Sequence, residues 1–152
     1  MRSSTYALFF GVRDELSVYF ENPATDAMGY DHVEGRLFCG REYVELQFKQ
    51  KDRAFRKSDA VTIRLDYNEV GEIEYRSSWF KPKVLIFQSR IPEKLEEFPG
   101  ADVGRVQLLV NKESRDEARK AAAFIEYRQS EAYLRESDKR MSESRDEFGS
   151  EI

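Results

Sequence analysis

Along residues 61–90, VTIRLDYNEVGEIEYRSSWFKPKVLIFQSR, apolar side chains recur at every second position. Val61, Ile63 and Leu65, then Ile73 and Tyr75, alternate with Thr62, Arg64, Asp66, Glu72 and Glu74. This is the period of a half-buried strand. It predicts a meander of three antiparallel strands, Val61–Asp66, Glu69–Arg76 and Lys83–Ser89, turning near Asn68 and at Ser77–Pro82. In the third strand Val84, Leu85, Ile86 and Phe87 are apolar without interruption, so both of its faces must be covered. The N-terminal arm is the first candidate for that cover and a second subunit the next.

The same alternation extends to either side. Glu34–Cys39 and Glu42–Lys49 form a hairpin around Gly40-Arg41, with Val44, Leu46 and Phe48 inward and Glu45 and Gln47 outward. Arg105–Val110 resumes the pattern after a short helical turn at Ile91–Phe98, which carries Pro92 in its first turn and is stopped by Pro99-Gly100. From Ser114 the period changes to that of a helix. Ser114 and Glu117 have the spacing of a capping box, and Ala118, Ala121, Ala122, Ile125 and Ala132 make a stripe widened by Phe124 and Leu134. Upstream, Tyr6 to Phe20 fits an amphipathic helix through Phe9, Val12, Leu16 and Tyr19. It also fits a hairpin of Ala7–Val12 against Leu16–Phe20, and the helix is the preferred reading. Asn22-Pro23 ends this segment. The resulting organisation is an arm at 1–31, one domain at 32–135 with its helix at 114–135, and a charged tail at 136–152 that frays into solvent.

Composition narrows the class. The chain has 152 residues, 40% hydrophobic and 36% charged, which suits one compact core with a very polar surface. Its longest apolar run, Tyr6 to Val12, is too short to cross a bilayer and lacks the features of a secretory leader, so a cytoplasmic protein is expected. The net charge of −4 is unevenly spread. Residues 1–32 carry two basic and five acidic side chains, residues 113–152 eight and eleven, but residues 33–90 carry twelve basic and nine acidic. An anion-attracting surface therefore belongs on the sheet domain.

Little points to chemistry. A lone Cys39 and a single His32 give no disulfide and no zinc-ligand spacing. The pairs Glu72/Glu74 and Glu96/Glu97 lie on predicted solvated faces, and no glycine-rich phosphate loop occurs. The expectation is no catalytic residue, no cofactor and no metal. Nucleic acid is disfavoured by acidic flanks and a pI near 5.3.

Two constellations are candidates for binding. One is the basic connection Lys49, Lys51, Arg53, Arg56 and Lys57, whose alternative reading is a solvated loop that keeps a sheet edge soluble. The other is the turn holding Trp79, Phe80 and Lys81, where aromatics beside cations suit a membrane boundary or a partner surface. Its alternative, favoured because a small core would use its single tryptophan, is that Trp79 folds back onto the sheet.

Strands followed by one C-terminal helix, with Val33-Glu34-Gly35-Arg36-Leu37, Val44 to Lys49, Val61 to Val70, Trp79-Phe80 before Val84-Leu85-Ile86, and Phe98-Pro99-Gly100-Ala101-Asp102 leading into Val106–Val110, resemble the bacterial pleckstrin-homology-like (GRAM-like) domains. The likeness covers about residues 33–130. It implies an α+β fold, a bent antiparallel sandwich of seven strands with the helix plugging one end. Six strands are evident after residue 32, so the seventh is either irregular or supplied by the arm. The function expected is a non-catalytic binding or assembly module. It self-associates or docks a protein through the sheet face and arm, with Phe9, Phe10, Leu85 and Phe87 as contacts. The alternative is attachment to an anionic phospholipid surface through loop 49–57 and the Trp79-Phe80 turn.

Overall fold

A computed structural model describes residues 14–23, 32–51 and 59–149. Among these residues seven strands follow in order: β1 (Leu16–Asn22), β2 (His32–Cys39), β3 (Tyr43–Lys51), β4 (Val61–Asp66), β5 (Val70–Ser78), β6 (Lys81–Ser89) and β7 (Arg105–Leu109). Among the described residues one α-helix, α1 (Arg115–Gly149), follows the strands. The fold class is the expected α+β arrangement of two antiparallel sheets capped by a C-terminal helix.

The seventh strand comes from the arm. Leu16, Val18 and Phe20 are buried while Tyr19 and Glu21 are exposed, and β1 pairs with β2 from Leu16↔Cys39 to Asn22↔Val33. The helical reading of Leu16–Tyr19 is therefore corrected. Period two outweighs period 3.6 here because a neighbouring strand is present to bury alternate residues. The proposed hairpin partner, Ala7–Val12, lies outside the described residues, as do Phe9 and Phe10.

A second correction concerns the meander. The sheets are β1-β2-β3-β4 and β5-β6-β7, so β4 pairs with β3 and the chain changes sheet between Asp66 and Val70. A 3-10 turn at Tyr67–Glu69 makes the crossing. Tyr67 is buried there and its hydroxyl donates to the Gly40 carbonyl. The Gln129 amide of α1 donates to the carbonyls of Tyr67 (3.1 Å) and Val70 (2.9 Å). The sheets meet at their other corner, where Phe20 bridges Val110. Asn22 accepts from Leu109 N (2.9 Å) and donates to the Gln107 carbonyl (2.8 Å).

Between the sheets lies one core, which includes Phe20, Leu37, Leu46, Leu65, Leu108 and Ile125. Leu85 and Phe87 belong to it, fully buried. The expectation that they form a self-association surface is corrected, because the chain's own layers cover them. Ile86 points the other way and is still buried, between its cross-strand neighbours Glu74 and Gln107. On that outer face Val84 and Gln88 beside it are half-buried, so β6 is fully buried on its core face and partly on the other.

Gly35 stands between Phe20 and Phe48 in register. A Cβ there would fall 1.9 Å from the Gln47 carbonyl oxygen, so β2 and β3 can approach this closely only at a glycine. Phe98, from the loop before β7, packs on both flanking rings at 5.9 and 5.0 Å.

The helix is longer than expected, 35 residues or about 50 Å. Its start is tied to β1 by Ser114 Oγ, which accepts from Tyr19 N at 2.9 Å. Ala118, Ala121, Phe124, Ile125 and Arg128 are buried. Leu134, placed in the apolar stripe by spacing alone, is exposed, because the sheets have ended by that turn. Beyond Glu136, where fraying was expected, the backbone stays helical through Gly149 and its described side chains reach solvent. Among the described residues no helix is long and apolar enough to cross a membrane.

Candidate functional site

The tip of the β5–β6 hairpin outruns its sheet. β7 pairs with β6 only over Val84–Gln88, while β5 stays beside β6 down to Ser78↔Lys81. Beyond the last bond from that side, Val110 N to the Lys83 carbonyl at 2.9 Å, the hairpin has no third strand beside it among the described residues. Trp79 and Phe80, at the turn, lie outside the buried core, and each is 95% exposed. The reading that folds Trp79 back onto the sheet is corrected by this geometry.

Cations surround the pair. Residues 76–83 contain Arg76, Lys81 and Lys83 and no carboxylate. Lys83 Nζ donates to the Ser78 carbonyl at 3.0 Å, clasping the two arms just behind the aromatics. Arg76 pairs with Glu74 at 3.2 Å, an exposed contact of small strength. The structure therefore brings Trp79, Phe80 and Lys81 together. Lys49 is elsewhere, at the far end of β3, lining a shallow concavity of about 460 Å³ with Tyr19, Gly35, Arg36 and Gln47. Lys51 ends β3, and Arg53, Arg56 and Lys57 lie outside the described residues.

A second feature is spread too widely along the sequence to be noticed there. At the opposite end of the hairpin, the sheet crossing, the β2–β3 turn and the emerging half of α1 enclose an open groove of about 810 Å³. Glu42, Asp66, Glu126 and Glu136 line it with Arg90, as do Ala132 and the exposed Tyr133 and Leu134. Glu42 lies 4.0 Å from Arg135 and Glu136 2.9 Å from Arg140, whereas Asp66 and Glu126 form no salt bridge among the described residues. Four separate segments build this groove. The only trace of it in the sequence is the acidic balance of residues 113–152.

Titratable groups elsewhere are placed for structure. Burial pushes the Cys39 thiol up to about 12, which leaves it protonated and unreactive. On the outer face of the four-stranded sheet Arg64 holds the Glu45 carboxyl through two bonds of 3.1 and 2.7 Å, and Gln47 adds one of 2.8 Å. Together they keep that carboxyl below the ordinary range. The Lys94 ammonium does the same for Glu69. Glu72, Glu74, Glu96 and Glu97 are all solvated. Among the described residues no group of three or more His, Cys, Asp or Glu side chains is arranged to hold a metal ion.

Comparison with protein-family models, curated proteins and solved structures gives no match.

Proposed function

We propose that this chain is a non-catalytic docking module of the pleckstrin-homology-like kind, and that the β5–β6 hairpin tip is its docking element. One observation carries the reading: two adjacent large aromatics, Trp79 and Phe80, stand 95% exposed at the hairpin turn. Burying such a side chain gains about 2–3 kcal/mol. The chain's own core does not collect this, so a partner surface does. The partner is anionic, because Lys81 and Lys83 flank the rings and Arg76 lies behind them. A cytoplasmic setting accompanies the reading, supported by a lone Cys39 kept as a buried thiol.

The flanking lysines favour a second reading in which the anionic surface is a phospholipid membrane. Each Lys or Arg near such a surface contributes about 1 kcal/mol, and indole rings settle at the headgroup boundary.

Trp79 is the single tryptophan of the chain, so its emission reports on the tip alone. The dilute protein is expected to emit as a fully solvated indole open to acrylamide quenching. The tip is the docking element if the emission moves to shorter wavelength and quenching drops as protein concentration rises, or on adding phosphatidylserine-containing vesicles. An emission unchanged by both titrations sinks the proposal.

A further inference from the structure

The groove at one end of the molecule complements the tip at the other, and we infer that the anionic partner is a second copy of this chain, bound head to tail. The inference rests on the tip being the docking element. Tip residues 76–83 carry three cations and no acid. The groove is lined by Glu42, Asp66, Glu126 and Glu136 with Arg90; Arg135 and Arg140 pair with Glu42 and Glu136, which leaves Asp66 and Glu126 as its carboxylates without a salt bridge among the described residues. Its exposed Tyr133 and Leu134 offer the apolar contact that Trp79 and Phe80 lack. A volume of about 810 Å³ is ample for two aromatic side chains.

The contact must be between molecules. β5 and β6 are nine residues each and run from the groove to the tip, which separates the two by roughly 27 Å. Donor and acceptor are different patches, so the contact is heterologous, and a growing chain of copies follows unless the rotation closes a ring. Neither patch is self-complementary. The tip presents Lys81 and Lys83 and the groove presents Asp66 and Glu126, so a symmetric tip-to-tip or groove-to-groove dimer sets these like charges against each other.

Light scattering or sedimentation of the full chain tests this. The average mass is expected to rise with concentration and fall when salt is added. A tip variant, Phe80→Ser with Lys81→Glu, and a groove variant, Glu126→Lys with Leu134→Ser, alter exposed residues and keep the fold, as their unfolding curves will show. Each alone is expected to be monomeric, with self-affinity lowered roughly thirtyfold or more, as for a central contact residue. Mixed in equal amounts they should form a dimer and nothing larger, because one supplies an intact tip and the other an intact groove. Strictly monomeric wild-type protein, or a mixture that stays monomeric, overturns the inference. A Trp79 shift on phosphatidylserine vesicles without self-association also overturns it, while leaving the docking role of the tip intact.

Discussion

Single residues set the tolerances of this fold. At Val103-Gly104 the chain turns tightly, Asp102 N and Arg105 N bonding each other's carbonyls, and both turn residues take positive φ (47° and 74°). Such a turn suits glycine and asparagine, and a β-branched residue there is strained. Val103→Asn should raise stability by about 1 kcal/mol in chemical denaturation. Gly35→Ala should lower it by about 2–3 kcal/mol, since the added carbon meets backbone rather than a yielding side chain. Cys39 should stay silent to thiol reagents in the native protein and react only at the rate of unfolding, as a buried, protonated thiol requires. Glu45 and Glu69 titrate lower in the folded chain than the free value of about 4.3. Their contribution to stability is therefore full above that value and is lost as pH falls through the folded one. Unfolding free energy should drop below about pH 4, and Glu45→Gln should flatten the drop. Alternation alone assigned Glu45 to the outer face, but not its partner: Arg64 is nineteen positions away and only register brings it alongside.

At the scale of elements, the strands after residue 32 were legible from their alternation, whereas β1, equally one-sided, fitted helical spacing as well. Val61–Asp66 was located to the residue, and His32–Cys39 and Arg105–Leu109 to within two positions. The rhythm does not say which strand pairs with which. The break between β4 and β5 depends on Tyr67 being drawn under Gly40 and on Gln129 reaching two carbonyls of the crossing. Gln129→Ala should therefore cost about 1–3 kcal/mol, measured by denaturant unfolding, even though glutamine on a helix reads as a surface residue. The helix divides in function near Arg128, the last buried side chain among its described ones. Chains ending at Ser137 should lose helical circular dichroism while the melting temperature stays within a few degrees.

For the whole molecule, the decisive facts are positional. A hairpin that outruns its neighbour strand presents Trp79 and Phe80 to solvent, and the same hairpin holds them a full strand length from the acidic groove. Lys49 and Lys81, grouped by composition as one basic region, lie on different sheets. Trp79→Ala with Phe80→Ala should leave unfolding free energy within about 0.5 kcal/mol of wild type, because nothing in the fold rests on these rings.

The sequence by itself determined the six strands after residue 32, most of their ends, the terminal helix and the α+β class, because those follow from local periodicity and turn chemistry, whereas β1 fitted two periods and only its pairing with β2 decided it. Tertiary structure alone decided which strand begins the second sheet, which apolar residues are buried and which stay bare, and where four distant segments meet to form a groove. A side chain is covered only if another layer reaches it, and that depends on where every other strand ends.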